Sequence, residues 1–351
     1  MSGTSLDGLD IAYCKFFKRN NLWHYEILNG ETYSYSENLK IRLQNAINLN
    51  AIELFKLDVE LGKLFYDFSS KFIKKYNIKK IDFFASHGHT VFHQPENKIT
   101  VQIGTPYFIS NNLKIPVVYD FRTADVINGG QGAPLVPVGD YFLFNDYDYC
   151  LNLGGFSNIT VLNKKSIIAF DISHCNVLLN YYSNKLGYPY DKDGSLSFKG
   201  NINQKLLKAL NELQYYLIKP PKSLGMEWVQ NKVLPLINKH HLSNEDILAT
   251  LVEHIGFQIG KILKDKKTKT LVTGGGVFNK TLIKKIKQHS NAAIIIPDKN
   301  TINFKEAMIF AFLGLLRILG QPNCLKSVTG GKNDLCVGSL INTNNEINKI
   351  E

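Results

Sequence analysis

The sequence predicts an α/β protein of two lobes with a cleft between them. Strand-like apolar segments alternate with amphipathic helical ones, which is typical of α/β proteins. A glycine turn leading into a strand occurs near residue 3 and again near residue 154, which suggests a structural duplication. The 351 residues suffice for two domains with their own cores. We expect these domains to cover residues 1–137 and 138–351.

The first lobe contains short strands and one long helix. Apolar residues recur at helical spacing from about Ala51 to Tyr76, which predicts an amphipathic helix. The predicted strands are Leu9–Phe17, Leu22–Leu28, Glu31–Tyr35, Ile81–Ser86, Ile99–Gly104 and Ile115–Tyr119. The glycine-dense segment Asn128–Pro137 then reads as an ordered crossing to the second lobe rather than a flexible linker.

The second lobe begins the pattern again. Its predicted strands are Tyr149–Leu153, Ile159–Leu162, Ile167–Phe170 and Lys269–Thr273. Ser243 is a plausible N-cap for a helix through about Asp265, and another helix is expected from about Phe278. A largely apolar, buried helix is predicted over Phe304–Leu319, before Gly320 and Pro322.

Composition and charge restrict the classes of function. The hydrophobic content of 44% and the lack of an apolar run of membrane-spanning length indicate a soluble globular protein. Five dispersed cysteines without a CxxC pair favour reduced thiols and a cytoplasmic location. The net charge of +11 comes mostly from short lysine clusters, and arginine is scarce. This pattern favours a solvated surface over nucleic-acid binding.

Three glycine turns have the distribution that a nucleotide site needs. They are Gly3–Gly8, Gly154-Gly155 and Gly274–Gly276. Glycine lets backbone N–H groups approach an anion, and Asp7 and Asp10 could hold a hydrated Mg²⁺ against phosphate oxygens. Each turn alone is more often structural, but their joint order favours a nucleotide. Neither a P-loop nor a GxGxxG dinucleotide motif is present.

Candidate catalytic chemistry lies at Asp171. It follows the apolar residues Ile167–Phe170, so a carboxylate is expected at the end of a buried strand, where it could act as a general base or as a helix N-cap. Three histidines in His87-Gly-His89 and His93 could ligate zinc, although no acid or cysteine stands at matching spacing, and a polar pocket is the favoured interpretation. The segments Tyr190–Gly194 and Pro220–Trp228 read as a turn and an ordered clamp.

Taken together, these segments resemble the anhydro-N-acetylmuramic acid kinases, a branch of the actin-like (ribonuclease H-like) sugar kinases. The resemblance covers nearly the whole chain in order. It rests on Ser2-Gly-Thr-Ser-Leu-Asp-Gly-Leu-Asp10, Ser86-His-Gly-His-Thr-Val-Phe-His93, Asp120-Phe-Arg-Thr-Ala-Asp125, Gly129-Gly-Gln-Gly-Ala-Pro-Leu-Val-Pro137, Asn152-Leu-Gly-Gly-Phe-Ser-Asn158, Phe170-Asp171, Tyr190–Gly194, Pro220-Pro-Lys-Ser223 and Gly274–Gly276.

The resemblance implies a coupled reaction of ATP, Mg²⁺ and 1,6-anhydro-N-acetylmuramic acid. Water opens the internal bridge while O6 takes the γ-phosphate, giving N-acetylmuramic acid 6-phosphate. By resemblance, Asp171 deprotonates the water and Asp7 or Asp10 positions Mg²⁺. Nucleotide-binding residues would be Ser2, Gly3, Thr4, Ser5, Asp7, Gly8, Gly154, Gly155, Gly274, Gly275 and Gly276. Sugar-binding residues would be Arg122, Asp125, Gln131 and Glu306. A homodimer is a further implication.

The sequence departs from the family pattern at three places. Ile172–Cys175 stands where the family has Thr-Gly-Pro-Gly, and His89 stands where it usually has glutamine. The family also has an apolar strand before the phosphate hairpin that begins here at Met1. We expect the natural start to lie upstream; a chain that lacked this strand would have unpaired ladder groups, low stability and weak ATP binding.

Two alternatives remain open from the sequence. The altered run Ile172–Cys175 is compatible with a kinase of another amino sugar. An ATP-binding actin-like module without turnover is the alternative from a different class, and there the substitution Asp171→Asn would change nothing.

Overall fold

The computed structural model describes residues 1–3, 6–163 and 166–343, which form two compact α/β units. Unit 1 comprises Met1–Leu143 together with the chain from Phe304, and unit 2 comprises Phe144–Asn303. The predicted α/β class and the division into two lobes are therefore confirmed. The boundaries differ from the predicted 1–137 and 138–351, because the C-terminal segment returns to the first unit.

This return has a packing reason. The ring of Phe312 lies 5.4 Å from that of Phe16 and 5.5 Å from that of Trp23. Gly30 leaves room for the ring of Phe304, because a Cβ added to Gly30 would lie 2.3 Å from that ring. The late apolar helix thus supplies side chains to the core of unit 1, which short strands alone would leave incomplete.

The elements are numbered in chain order. The strands are β1 Gly8–Arg19, β2 Leu22–Ser34, β3 Phe84–Ser86, β4 His89–Gln94, β5 Ile99–Ile103, β6 Val117–Tyr119, β7 Tyr149–Leu153, β8 Phe156–Asn163, β9 Ser166–His174, β10 Lys269–Thr273, β11 Ala293–Ile295 and β12 Ser339–Ile341. The helices are α1 Glu37–Gln44, α2 Ala51–Lys75, α3 Tyr107–Leu113, α4 Thr123–Ile127, α5 Val136–Leu143, α6 Asn176–Lys185, α7 Ser195–Lys199, α8 Gln204–Asn211, α9 Met226–Trp228, α10 Leu234–Asn238, α11 Asn244–Gly260, α12 Lys280–His289, α13 Lys299–Ile318 and α14 Lys326–Thr329.

Unit 1 contains three small sheets. β1 pairs antiparallel with β2, β4 pairs with β5, and β3 lies beside β6, which also pairs with β12. The two segments predicted as Leu22–Leu28 and Glu31–Tyr35 form the single strand β2, since a bulge at Leu28 absorbs the irregularity. The long helix α2 packs Leu57, Leu61 and Phe65 into the core of this unit.

A groove of about 740 Å³ separates β1 from β3 in unit 1. Apolar side chains of β1, of the segment Ile81–Ser86 and of α13 line it. At the edge of β1 that faces away from β2, Leu9 bridges to Ser2 and Asp10 exchanges two backbone hydrogen bonds with Met1, at 2.9 and 2.7 Å. Ser2 also bridges in parallel to His89, so the first residues of the chain pair on both sides at the end of this groove.

Unit 2 has one five-stranded sheet in the order β11-β10-β7-β8-β9. β8 is antiparallel to β7 and β9, whereas β10 is parallel to β7 and β11. This order is that of a ribonuclease H-like sheet and agrees with the predicted fold class. Its core packs against α6 and the almost entirely buried α11, which starts where Ser243 accepts the Asp246 N–H at 3.1 Å, as predicted.

Candidate active site

The predicted phosphate hairpin lies at the N-terminal end of β1 in unit 1. Buried Ser2 contacts the Nδ1 atom of His89 through its Oγ at 3.0 Å and accepts the Tyr35 hydroxyl at 2.8 Å. The N–H of Leu6 donates to the carbonyl of Gly3 at 3.3 Å. Two of the predicted phosphate ligands, Thr4 and Ser5, lie outside the described residues. His89 therefore holds the start of the hairpin through Ser2.

Gly8 is required by the closeness of the two strands. A Cβ at this position would lie 2.3 Å from the backbone oxygen of Tyr33. The predicted glycine thus allows β2 to pack directly against the turn, and its role in the structure is steric as well as conformational.

The two predicted magnesium ligands differ in environment. Asp7 is exposed, whereas Asp10 is partly buried and its Oδ1 accepts the Thr32 hydroxyl at 2.5 Å. Burial raises the pKa of Asp10, while the Thr32 hydrogen bond and the Met1 ammonium oppose this shift. One or two carboxylates beside a phosphate loop fit the way Mg²⁺ is usually held with a nucleotide. In the part of the chain that is described, no group of three or more His, Cys, Asp or Glu residues could hold a metal by itself.

Arg122 is held inside unit 1 by two contacts. Its Nε donates to Nε2 of His87 at 2.9 Å, and Nη1 donates to the carbonyl of Gly132 at 2.7 Å. Burial lowers the pKa of this guanidinium and lowers that of His87 well below its usual value. His87 is therefore a neutral acceptor that orients Arg122, a positioning role that the motif alone did not reveal.

Asp125 organises the glycine-rich loop. It is fully buried, and its Oδ2 accepts the N–H of Gly132 at 2.8 Å while Oδ1 accepts the Thr329 hydroxyl at 2.9 Å. Gly130 lies so close that a Cβ would come within 2.2 Å of the same carboxylate. Gln131 is exposed and its N–H donates to the carbonyl of Thr329 at 2.8 Å. Direct contact of Asp125 and Gln131 with a sugar stays a prediction.

Glu306 lies on α13, beside the charges of the phosphate hairpin and of Arg122. Its side chain is solvent-accessible, yet desolvation by the surrounding protein raises the pKa of its carboxyl, opposed by Arg122 and then by the Met1 ammonium. Asp10 adds to the upward shift. In unit 1, the carboxyl of Glu306 therefore lies close enough to Arg122, Met1 and Asp10 for their charges to change its pKa.

In unit 2, the two other glycine turns come together. Gly276 packs against Leu153, since a Cβ added to Gly276 would lie 2.7 Å from the Cβ of Leu153. Gly274 adopts φ +87° beside Asn152. The carbonyls of Gly154 and Gly155 accept N–H groups at the start of α6. Around Gly275 an added Cβ would meet only the Nδ2 of Asn176, at 3.9 Å, so bare backbone is accessible there. This arrangement suits a ligand that lies against the main chain.

Asp171 lies near the end of β9, in unit 2. Ser157 pairs with Ser173 and Asn158 with Asp171, so Ile172 forms a bulge directly after the aspartate. Such bulges change the direction of neighbouring side chains. The N–H of Leu224 donates to Oδ2 of Asp171 at 2.8 Å, and burial raises the pKa of this carboxyl despite that bond. A carboxyl with a raised pKa is suited to proton transfer near neutral pH.

Sequence reasoning missed several residues around these groups. Asn176 donates to the carbonyl of Leu153 at 3.0 Å and thereby ties α6 to the glycine turn. Tyr215, Lys222 and Leu224 contact Asp171, although they follow it by more than forty positions. The one available signal was the Pro220–Trp228 segment, predicted as an ordered clamp without a partner.

Asp191, in the predicted turn Tyr190–Gly194, has a structural role. It is buried, and its carboxylate accepts the N–H groups of Leu196 at 2.7 Å and Ser197 at 3.2 Å at the start of α7.

In the described residues, none of the helices combines the length and apolar character needed to cross a membrane.

Comparison with known proteins identifies the family of this chain. Residues 1–343 match the family described as "AnmK: Anhydro-N-acetylmuramic acid kinase". Relatives with the name anhydro-N-acetylmuramic acid kinase include those of Sulfurimonas denitrificans, 34% identical, and Francisella tularensis subsp. novicida, 33% identical, each alignment covering 97% of both chains. The relative of that name from Caldanaerobacter subterraneus is 32% identical over 97% of this chain and 95% of its own. The chain therefore belongs to the anhydro-N-acetylmuramic acid kinase family.

Proposed function

We propose that this protein phosphorylates 1,6-anhydro-N-acetylmuramic acid with ATP while water opens the internal bridge. Membership of the kinase family makes it a phosphotransferase with an alcohol group as acceptor. Water attacks the anomeric carbon, the bond from that carbon to O6 breaks, and O6 takes the γ-phosphoryl group. The products are N-acetylmuramic acid 6-phosphate and ADP, and the reaction belongs to the recycling of cell-wall sugars.

The observation that carries this proposal is the environment of Asp171. Its carboxylate accepts the proton of the attacking water, a task for which a raised pKa improves the match to neutral pH. Activity should fall as the pH falls through this raised pKa, because only the ionised carboxylate accepts a proton. The acid limb should therefore lie above the usual carboxyl range of about 4.

Unit 1 supplies the groups for phosphate and sugar. The hairpin residues Ser2–Gly8 bind phosphate oxygens through backbone N–H groups, and Asp7 and Asp10 hold Mg²⁺, which would neutralise phosphate charge. Arg122, held by His87, and Glu306 contact the sugar. Asp125 keeps Gln131 in place by holding the loop that carries it.

In unit 2, the glycine turns at Gly154-Gly155 and Gly274–Gly276 bind the nucleotide against bare backbone. We also infer a cytoplasmic location, because all five cysteines are free thiols. A homodimer is inferred from the family resemblance, and sedimentation equilibrium of the purified protein measures it.

The test is product analysis in ¹⁸O-labelled water. The wild-type protein, with ATP, Mg²⁺ and 1,6-anhydro-N-acetylmuramic acid, should give a 6-phosphate with the label at C1. Asp171→Asn should lower kcat about 10²- to 10⁴-fold, the usual contribution of a general base. The control Asp265→Asn changes an exposed carboxylate of the same unit and should retain activity. A folded protein that leaves the sugar unchanged would contradict the proposal.

A further inference from the structure

The segment from Tyr215 to Leu224 packs against Asp171 and forms three hydrogen bonds with it. The Tyr215 hydroxyl donates to the backbone carbonyl of Asp171 at 2.6 Å. The N–H of Asp171 donates to the carbonyl of Lys222 at 3.1 Å, and the N–H of Leu224 donates to the Oδ2 atom at 2.8 Å. One short segment thus fixes both the main chain and the carboxyl group of the proposed base. We name it the aspartate clamp, residues 215–224.

The clamp is itself anchored on both sides. The Nζ of Lys222 donates to the carbonyl of Tyr215 at 3.1 Å and lies 4.4 Å from the centre of its ring, so the loop folds back onto the Tyr215 turn. The neighbouring Tyr216 contacts Nε2 of His254 through its hydroxyl at 2.8 Å. The ring of Tyr215 packs 5.4 Å from that of Trp228. The donors that reach Asp171 are therefore held in place by contacts within the protein.

We propose that the aspartate clamp is a positioning device for the catalytic base: the Leu224 N–H fixes the carboxyl plane of Asp171 through Oδ2 and directs Oδ1 toward the attacking water. Within the described residues, no hydrogen bond engages Oδ1. The inference rests on the proposed role of Asp171 as base. Tyr215, Lys222 and Leu224 are positioning residues, since each acts through Asp171.

Two opposing effects set the affinity of this carboxyl for a proton. Burial disfavours the charged form, and the Leu224 N–H favours it. Removing this donor should therefore raise the pKa of Asp171 further. A hydrogen bond to a charged group is strong enough to change the pKa of that group by about one pH unit.

The test compares Leu224→Pro, Tyr215→Phe and Tyr182→Phe. Leu224→Pro removes the donor N–H and should raise the pKa of Asp171 by about one pH unit. Tyr215→Phe removes only the hydroxyl that holds the main chain; it should lower kcat with little change in KM and shift the pKa in the same direction. Tyr182→Phe is the matched control, because this buried hydroxyl of the same unit lies outside the clamp and has no hydrogen-bond partner among the described residues.

Two readouts are needed. The pKa of Asp171 is measured by ¹³C NMR of the carboxyl carbon, assigned by its loss in Asp171→Asn, and the acid limb of kcat is measured in parallel. The NMR titration does not require turnover, so it tests the clamp even if Asp171 is not the base. An unchanged Asp171 pKa in folded Leu224→Pro would overturn the proposal. If that variant does not fold, equal kcat and pKa in Tyr215→Phe and Tyr182→Phe would overturn it.

Discussion

Thr329→Val is a direct test of how the glycine-rich loop is held. The Thr329 hydroxyl donates to buried Asp125 at 2.9 Å, across 204 positions of sequence. Valine has nearly the same shape but no donor, so the fully buried carboxylate of Asp125 would lose this hydrogen bond. A hydrogen bond to a charged group contributes about 1.5–3 kcal/mol. For a folding unit of this size, each kcal/mol corresponds to a decrease in Tm of about 2–4 °C.

We therefore expect Tm to fall by about 3–12 °C, measured by calorimetry. The control is Thr268→Val, whose exposed hydroxyl donates only to the carbonyl of Asp265 at 2.6 Å; its Tm should stay close to that of the wild type. Because the same loop carries Gln131, KM for the sugar should rise while KM for ATP changes little. Equal Tm values for the two variants would refute the reasoning that Asp125 anchors this loop.

Two further perturbations test separate parts of the molecule. Gly8→Ala would place a Cβ 2.3 Å from the backbone oxygen of Tyr33, so β1 and β2 must separate; we expect a cost of about 1–3 kcal/mol and weaker ATP binding by calorimetric titration. Unaltered ATP affinity would contradict the role of the hairpin. Burial lowers the pKa of His174 to about 3, whereas the unfolded value is 6.5. Because the unfolded chain takes up a proton more readily than the folded one, stability is complete above pH 6.5 and is lost as the pH falls toward 3. His174→Phe should therefore reduce the loss of stability between pH 7.5 and 5.5 by about 1 kcal/mol in urea unfolding, and an unchanged loss would argue against a buried neutral imidazole.

Local signals predicted the regular elements well. The apolar spacing of Ala51–Tyr76 corresponds to the helix Ala51–Lys75, and the apolar segment after Asn303 is the C-terminal part of α13. Helical and strand periodicities depend on neighbouring residues, which the sequence contains. The pairing of β1 with β2 as two long strands was missed at Leu28, because a bulge is decided by the partner strand and not by the local pattern.

The sequence pattern pointed to the candidate residues of the site but not to the groups that hold them. Asp171 was predicted as the base because a carboxylate directly follows an apolar segment, and this role stays a prediction. The aspartate clamp was not predicted, because the loop that carries Tyr215 and Leu224 has no sequence signal for contact with Asp171. Likewise, the buried bonds of Asp125 to Gly132 and Thr329 were visible only in the distances, while contact of Asp125 with a sugar stays a prediction.

The sequence by itself determined the α/β class, the glycine turns, the acid at Asp171 and the family, because these depend on residue type and short spacing. The tertiary structure decided that the chain from Phe304 completes unit 1, that a groove lies between β1 and β3, and which donors hold Asp171. The physical reason is that burial and hydrogen bonding join residues far apart in the chain. Their pKa values and orientations depend on those partners, which no local pattern specifies.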